Sequence, residues 1–521
     1  MMGSVHSAKR WRMAVLSAVT ALLLTGCGGG GETGAGDDAA VPAGGTLRVA
    51  LGQPEADLNS LSYKTHSFNV LDQIYEPLVR YGPQGKLLPG LAQTWEVSSD
   101  GLTLTFHLRQ GVTFSDGAAF TAPVAKTDMQ RWIGDTPFLG ISRTIAAVEA
   151  PDDATLVVRL KSSYYPAVQE LTLMRPVRFR SPNSFDSAGN FVKPIGTGPF
   201  RLESSSETEI VLVRNDTYWG GRPNLDKVLF KVIPSSQARL AALKAGEVDL
   251  VGGEYMAPLA PEETLDLRGQ SRVKVLTEPA STNLLLAFNT TTGDSALADP
   301  RVRQAVNYAL DRQAYSKALF HNLARPATQV FPASIPYAPQ QPRALDLDAQ
   351  KARDLLAEAG KSGRKLRLIL DPGMLPQARA LSEAIQADLA KVGLEVQIDQ
   401  LDTAAYTEAA AKRRYDLLFY RTYGPPYDPF AMLNGNFRST EPAFLYGSPA
   451  IDGLIDEALA GTTDEARAAA YDKVWAALND SWAVAPVVEL PRVWAVGAKV
   501  RGFELGVTEY DLPLTKVGVA G

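Results

Sequence analysis

The residue types that most often carry out chemistry are few in this chain and lie far apart. Its four histidines are His6, His66, His107 and His321, and no two of them form a His-x-x-x-His pair. The sequence also contains no Gly-x-Ser-x-Gly elbow and no phosphate-binding loop. A three-histidine metal site would have to be assembled from these scattered residues. The sequence therefore gives little support to an enzyme.

Cys27 is the only cysteine, and it ends the tetrapeptide Leu24-Thr-Gly-Cys. A basic stretch at 9–12 and an apolar run at 13–24 precede it, which is the pattern of a secretory leader. The apolar run is shorter than the ~20 residues that a membrane span needs. Leu-Thr-Gly-Cys resembles a bacterial lipobox, which implies cleavage after residue 26 and lipid on Cys27. The alternative is a secreted protein whose cysteine is incidental.

The rest of the chain has the composition of an exported, folded body. Residues 27–45 are rich in Gly, Ala and Asp and predict a flexible linker. A net charge of −5 with both signs intermixed argues against nucleic-acid binding. We expect a body tethered to the cell membrane by the lipid on Cys27, on its extracellular or periplasmic face. The remaining length is too great for one core, so two or more lobes are expected.

Alternating strand and helix patterns predict an α/β fold with no internal repeat. We predict strands at 46–51, 102–108, 154–160, 210–213, 228–233, 284–288, 365–370, 395–398 and 415–420. We predict helices at 238–245, 301–310, 348–359 and 378–392.

Several ordered sequence blocks over residues 46–515 resemble one family, the extracellular solute-binding proteins (family 5) that serve ABC importers of peptides and nickel. The blocks are Tyr75-Glu-Pro-Leu78, Leu91-Ala-x-x-Trp95, Asp100–Arg109, Gly111–Gly117, Gly196-Thr-Gly-Pro-Phe200, Asn215 with Tyr218-Trp219, Gly246–Asp249 and Arg301–Leu310. The resemblance implies a two-lobed, type II periplasmic-binding-protein-like fold with an extra subdomain in the first lobe. The ligand cleft would lie between the lobes.

The same resemblance implies a division of the chain. We expect a signal peptide at 1–26, a linker at 27–45, a first lobe at 46–280 completed by 490–521, and a second lobe at 285–485. Two segments near 276–290 and 483–497 would cross between the lobes. The expected partners are a small ligand, the membrane subunits of an ABC permease and the membrane itself. A monomer without a cofactor or enzymatic activity is expected.

Five further segments resemble the nickel-binding branch of that family. They are Tyr164-Tyr-Pro, Gln169-Glu-Leu, Arg175–Phe179, Phe419–Pro429 and Thr508-Glu509. In the branch, small carboxylate-bearing chelators hold the nickel ion, and the arginine that matches Arg175 pairs with a chelator carboxylate. The resemblance places Arg175, Tyr63, Tyr423, Tyr427 and Thr508 in the cleft, and Phe138 where the branch often has tryptophan.

The chain departs from this branch at two places. Residues 430–442 lack the histidine that can ligate nickel there, and Asp135 stands where the branch has a second arginine. We therefore expect no protein ligand on the metal and recognition through the chelator. A peptide-binding protein of an ABC importer is the alternative, and an exported enzyme is a third. Arg175 could instead be a structural ion-pair residue, although the local match favours the ligand role, and Tyr423 and Tyr427 could equally be core residues.

Overall fold

Strands and helices alternate along the chain, and the predicted mixed α/β class is confirmed. The computed structural model describes residues 41–54, 57–62, 68–134, 139–253, 256–292, 294–339, 343–422, 429–441 and 445–521. The predicted leader, Cys27 and the linker up to residue 40 lie outside these ranges. None of the helices within them has both the length and the apolar character that a membrane span requires.

The first half of the chain contains short helices between strands. Its elements are β1 (Thr46–Leu51), α1 (Phe68–Ile74), β2 (Val79–Tyr81), β3 (Leu87–Pro89), β4 (Ala92–Val97), β5 (Thr103–Leu108), α2 (Ala122–Met129), α3 (Gly140–Thr144), β6 (Ile145–Glu149), β7 (Thr155–Leu160), α4 (Ala167–Glu170), β8 (Phe200–Ser205), β9 (Glu209–Arg214), β10 (Lys227–Val232), α5 (Ser236–Ala245), β11 (Leu250–Gly252), α6 (Pro261–Leu265) and β12 (Val273–Phe288).

The second half contains the longer helices. Its elements are α7 (Pro300–Ala309), α8 (Arg312–Phe320), β13 (Arg325–Pro326), α9 (Ala349–Glu358), β14 (Lys365–Leu370), α10 (Ala378–Lys391), β15 (Glu395–Gln400), α11 (Thr403–Ala411), β16 (Leu417–Arg421), α12 (Phe430–Phe437), α13 (Pro449–Ala460), α14 (Asp464–Asp480), β17 (Val484–Gly497), β18 (Val500–Arg501) and β19 (Gly518–Val519).

A long antiparallel ribbon of β12 and β17 forms the centre of the main sheet. The strand order is β15-β14-β16-β12-β17-β11-β1-β10-β9-β8, with β13 also paired to β17. Strand β16 pairs with the 284–288 part of β12, whereas β11 pairs with the 494–496 part of β17. Two groups of strands are therefore attached to opposite ends of one ribbon.

The ribbon changes register between Pro279 and Asn283. Pro279 pairs with Pro491 before the shift, and Asn283 pairs with Glu489 after it. Proline has no N–H to give to a ladder, so backbone pairing is weak at this level. Extra residues on one strand also bend a ribbon locally. This part of the ribbon, 279–283 of β12 opposite 489–491 of β17, is called its irregular level below. It lies between the two attached groups of strands.

Separate apolar cores lie on the two sides of this level. One core combines residues between Leu47 and Met256 with the tail residues Trp494–Val517. A second core draws on residues between Ala280 and Leu490. Burial of these side chains is the main stabilising term for each half.

A third core belongs to an insertion, defined here as residues 78–195, with its own sheet of order β4-β5-β7-β6. This core continues without interruption into residues between Phe430 and Val484 of the second half. The insertion therefore packs against α12, α13 and α14 as well as against its own sheet.

Several of the sequence blocks converge on Glu76, whose residue surface is only 2% exposed. Its carboxylate accepts hydrogen bonds from Trp219 Nε1 at 2.6 Å, from Thr197 Oγ1 at 2.9 Å and from Tyr218 Oη at 2.9 Å. Arg80 adds an ion pair to the same carboxylate. One block thus supplies the buried acceptor and two others supply three of its donors, which ties distant segments of this half together.

Local sequence signals explain where individual elements begin. Asp299 caps α7 by accepting a 2.9 Å hydrogen bond from the Arg301 N–H, and Pro300 occupies the first turn. Gly101 adopts φ +69° in the β4–β5 turn, where a side chain would be strained. Caps and turns of this kind explain why most predicted element boundaries were within two residues of the structure.

Candidate functional site

A cavity of about 540 Å³ lies beside the ribbon at its irregular level. One wall comes from residues that follow β1, begin α5 or precede α6, including Gln53, Ser236 and Leu259. The opposite wall comes from Phe320 and the segment 372–377. Leu490 and Pro491 of β17 form the floor between them. A space of this size between two halves suits a small molecule.

The cavity is lined by two arginines, Arg239 and Arg421, and by no acidic residue among the described lining. Arg239 donates to the carbonyl oxygens of Ile233, Pro234 and Pro258 at 2.7–3.0 Å. Burial lowers the pKa of Arg239, because its desolvation is only partly offset by the charge of Glu263. Carbonyl groups do not cancel the charge of a guanidinium. The described lining is therefore cationic, which favours an anionic ligand, although two lining residues donate to carboxylates just outside it: Gln377 to Glu262 at 2.9 Å and Ser236 to Glu263.

Arg175 lies in the loop after α4 and is half-buried. Its Nη1 donates to the carbonyl oxygen of Ser62 at 3.2 Å. Its Cζ lies 4.6 Å from the centroid of the Phe68 ring. The ring and the carbonyl help to hold the guanidinium in place, and the N–H groups of a guanidinium lie in its plane, the geometry that a carboxylate accepts.

Arg175, Phe68 and the Ser62 carbonyl are called the Arg175 cluster here. The C-terminal tail contacts it through Tyr510, whose ring lies 4.9 Å from that of Phe68, edge to face. Asn69 Nδ2 donates to the Tyr510 carbonyl at 3.0 Å, and Gln73 Nε2 donates to the Leu512 carbonyl at 2.8 Å. Helix α1 therefore anchors the tail segment that carries Thr508. Arg175 and Thr508, far apart in sequence, belong to one cluster for this reason.

A short turn positions Thr508, which is 1% exposed. Its N–H donates to Asp511 Oδ2 at 3.0 Å, and its Oγ1 accepts from the Tyr510 N–H at 3.2 Å. Burial and the nearby charge of Asp72 raise the pKa of Asp511 to about 6, against the opposing effect of Arg178. The turn thus contains a carboxyl group that titrates close to neutral pH.

Tail and ribbon meet at the irregular level. Ser281 of β12 donates its hydroxyl to the carboxylate of Glu509. Arg492 of β17 donates to the Gly506 carbonyl at 2.8 Å and pairs with Glu278 at 2.9 Å. The Arg175 cluster and the cavity therefore both adjoin the same part of the ribbon. Neither Arg175 nor Thr508 is among the described residues that line the cavity.

The other predicted site residues lie outside the described residues. These are Tyr63, Phe138, Tyr423 and Tyr427, together with the predicted lipidation site Cys27. Their roles stay predictions.

Sequence reasoning missed four residues that the structure places at the site. Phe68 and Tyr510 gave no signal beyond being aromatic, because their pairing joins positions more than 400 residues apart. Arg239 lies on a helix that was predicted without a role. Arg421 was within the Phe419–Pro429 segment of the nickel-branch resemblance, and its position before the two tyrosines predicted for the cleft was a usable signal.

No group of three or more His, Cys, Asp or Glu side chains in the described part of the chain could hold a metal ion. The described site offers guanidinium groups, aromatic faces and apolar walls. Groups of this kind can hold and orient an anionic solute. Two halves joined by a ribbon, with such a cavity beside it, define a solute-binding protein.

Comparison with known proteins gives the family. The model of the bacterial extracellular solute-binding proteins, family 5 Middle, matches residues 86–444. The nickel-binding periplasmic protein of Escherichia coli (strain K12) is 32% identical over 455 residues, covering 82% of this chain and 86% of that protein. The chain belongs to family 5 of the bacterial extracellular solute-binding proteins.

Solved structures agree. An ABC transporter substrate-binding protein from Sinorhizobium meliloti is 38% identical with a TM-score of 0.79, covering 92% of this chain and all of that one. NikA from Brucella suis in complex with Fe(III)-EDTA is 28% identical with a TM-score of 0.85, covering 91% of this chain and all of that one. The fold is that of two-lobed periplasmic solute-binding proteins, and the protein is the substrate-binding component of an ABC importer rather than an enzyme.

Proposed function

We propose that this protein captures a complex of nickel, or a related metal, with a small carboxylate-bearing chelator and delivers it to an ABC permease. The observation that carries the proposal is the cationic cavity, with Arg239 and Arg421 in a described lining that has no acidic residue. A metal chelate with free carboxylates has the complementary charge. The E. coli relative is a nickel-binding protein, and the Brucella structure contains an EDTA complex.

Recognition would act on the chelator and not on the metal. Arg175, stacked on Phe68, can give two parallel hydrogen bonds to a carboxylate. Thr508, Tyr63, Tyr423 and Tyr427 would complete the polar and aromatic walls around Arg175, with Phe138 in place of a tryptophan. The ligand would extend from the cavity to this group, since both adjoin the same part of the ribbon. The described residues contain no cluster of three or more His, Cys, Asp or Glu side chains that could hold a metal ion. Bare Ni²⁺ should therefore bind weakly, because the ion needs several nitrogen or oxygen ligands together and the described residues do not supply such a cluster.

A peptide ligand is the competing hypothesis. A peptide receptor needs an acidic group for the peptide's amino terminus and a strand edge for its backbone. The described lining of the cavity contains no carboxylate, which favours the chelate over a free peptide. Mass spectrometry and elemental analysis of ligand released from freshly purified protein separate the two. A metal with a polycarboxylate supports the proposal, and a metal-free peptide contradicts it.

Calorimetry gives a second test with defined probes. Titration with an equimolar Ni²⁺–EDTA complex should show binding, whereas Ni²⁺ alone should show little heat above dilution. Tight binding of Ni²⁺ alone would contradict recognition through the chelator.

We further propose that the lobes are 46–280 with 490–521 and 285–485, and that they close by bending at the Pro279–Asn283 level. The reduced backbone pairing at that level supports this hinge. Closure removes the ligand's carboxylates from water and strengthens their attraction to arginine. Small-angle scattering should show a smaller radius of gyration with saturating Ni²⁺–EDTA. An unchanged radius at saturation would count against hinge closure.

Attachment to the membrane by lipid on Cys27 and a monomeric state complete the proposal. Two acyl chains give stable attachment, at ~0.8 kcal/mol per buried CH₂ group. Cys27→Ser should release the protein into the soluble fraction with an unchanged melting temperature. Persistent membrane association of that variant would refute the lipid anchor.

A further inference from the structure

Two consecutive tyrosines of the insertion have different environments. The Tyr164 hydroxyl donates to Glu170 at 2.5 Å, inside the insertion. The Tyr165 hydroxyl instead donates to Asp464, at the start of α14 in the second half of the chain. The Arg467 guanidinium carbon lies 3.4 Å from the centroid of the Tyr165 ring. Tyr165 is thus a contact from the insertion to two charged residues of one helix.

Arg467 is enclosed by aromatic rings. Its residue surface is 0% exposed, and its guanidinium carbon lies 5.5 Å from the ring of Tyr337 and 5.8 Å from that of Tyr471. Tyr337 and Tyr471 belong to the second half and stay with Arg467 whatever the insertion does. The Tyr165 ring is the part of the enclosure that the insertion contributes.

The second half holds the acceptor Asp464 in position without help from Tyr165. Tyr337 donates its hydroxyl to the same Oδ1 atom at 2.8 Å. The Tyr337 backbone adopts φ +58°, an unusual value for a bulky residue, and its carbonyl accepts from Trp475 Nε1 at 2.6 Å. Hydrogen bonds from Tyr165 and Tyr337 lower the pKa of Asp464, so it is ionised at neutral pH. Tyr165 therefore contacts an anion, Asp464, and a cation, Arg467, that other residues of the second half also contact.

We propose that Tyr165, Asp464 and Arg467 form a latch that holds the insertion against the second lobe and sets the ratio of closed to open protein. The inference rests on the hinge closure proposed above and adds the residues that determine its equilibrium. These residues lie apart from the cavity lining and from the Arg175 cluster, so the latch acts on ligand affinity only through closure.

The chemistry of the contact suits a reversible closure. Opening would replace the Tyr165 ring over Arg467 by water, and a hydrated guanidinium is a stable alternative. An aromatic ring over a cation is worth less than a buried ion pair, yet more than an exposed one. The hydroxyl bond to Asp464 lies near the surface, where water competes for it. Both contacts can exchange for water on opening. The apolar core that the insertion shares with residues between Phe430 and Val484 also favours the closed state, so the latch adds to that core and does not act alone.

The test measures closure in the empty protein, which keeps it independent of the ligand. The full chain with Cys27→Ser receives labels at Gln130→Cys in the insertion and Asp472→Cys on α14, two exposed positions. Single-molecule energy transfer between these labels then gives the closed-to-open ratio. We expect a measurable closed population in the otherwise unchanged protein.

Two substitutions at Tyr165 separate its contacts. Tyr165→Phe keeps the ring and should lower the closed-to-open ratio by roughly 3- to 10-fold. Tyr165→Ala also removes the ring over Arg467 and should lower the ratio by roughly 30-fold or more. Tyr308→Phe makes the same chemical change on α7, within the second half, and should leave the ratio unchanged.

Three outcomes would overturn the latch. They are an empty protein with no closed population, a ratio unaffected by Tyr165→Ala, and a lower melting temperature of Tyr165→Phe with an unchanged ratio. The last outcome would show that Tyr165 only packs. Titration with Ni²⁺–EDTA is a separate arm, in which the Tyr165 variants should lose affinity by the factor measured for closure. If neither the Tyr165 variants nor the parent protein bind Ni²⁺–EDTA, the proposed ligand is contradicted. The closed-to-open ratio of the protein without ligand would still test the latch.

Discussion

Glu76 and Arg175 lie in the same half of the molecule and carry opposite charges in opposite settings. Four donors surround the Glu76 carboxylate, which has almost no exposed surface. Arg175 is half-buried, and its guanidinium contacts the carbonyl oxygen of Ser62 and the ring of Phe68 beside the cavity level of the ribbon. The first is fully committed to the fold, whereas the second is positioned by it.

The difference shows what the sequence blocks encode. Blocks spread over 150 residues place their polar side chains on Glu76, where Arg109 also covers the Trp219 ring at 4.5 Å. Such blocks specify a common scaffold, on which residues such as Arg175, the proposed ligand contact, are placed. A strong family pattern therefore says most about folding and least about the solute.

The largest expected effect is at Glu76. Glu76→Ala leaves Arg80, Tyr218 and Trp219 without their shared acceptor, and breaking a buried charged network costs ~3–5 kcal/mol. The free energy of unfolding from urea titration should fall by that amount. Glu96 is exposed, so Glu96→Ala is the matched control and should leave the free energy of unfolding nearly unchanged. If Glu76→Ala is as stable as the parent, Glu76 does not stabilise the fold, and its contrast with Arg175 is wrong.

Arg175 should behave in the opposite way. Arg175→Ala should weaken Ni²⁺–EDTA binding by ~2–3 kcal/mol, roughly 30- to 150-fold, because a bidentate contact to a carboxylate is lost. Arg175→Lys should recover only part of this, since lysine has no planar fork. The melting temperature of the empty protein should stay nearly unchanged. Calorimetry measures the affinity, and Arg222→Ala, whose side chain is 71% exposed, is the control.

A chelate affinity untouched by Arg175→Ala would contradict the assignment of this region. A peptide would then become the better hypothesis for the ligand.

Asp511 is an intermediate case, because it supports the turn that carries Thr508. Its pKa of about 6 in the folded protein lies above its ordinary value, so the folded state binds the proton more tightly. Its contribution to stability is full below about pH 4 and is lost as the pH rises through 6, a change of ~1–3 kcal/mol. Asp511→Asn should remove this pH dependence, as measured by unfolding midpoints from pH 4 to 7. The exposed Asp472→Asn should retain it, and equal profiles for all three proteins would contradict the assignment.

The smallest effect is expected at Tyr427. Tyr427→Phe removes one hydroxyl and keeps the ring, so Ni²⁺–EDTA binding should weaken by ~0.5–1.5 kcal/mol. The same calorimetry checks this value against that of Arg175→Ala. A loss larger than that of Arg175→Ala would move the main recognition contact from the arginine to the tyrosine.

Much of the fold could be predicted from local pattern. The strands 46–51 and 365–370 were predicted with the bounds that the structure has, because short apolar runs between polar turns encode them. Strand β12 was predicted only at 284–288, whereas it begins at Val273. Glu278 and Pro279 interrupt its local pattern, and pairing with β17 overrides that interruption.

The sequence by itself determined the α/β class, the family, the scarcity of catalytic groups and Arg175 as a residue of interest. Only the tertiary structure decided which side chains surround that arginine. Phe68 and Tyr510 meet because α1 binds the tail across more than 400 residues, and no local pattern encodes a contact of that separation. The same holds for Arg239 and Arg421, which become one cationic lining only when two halves of the chain face each other across the ribbon.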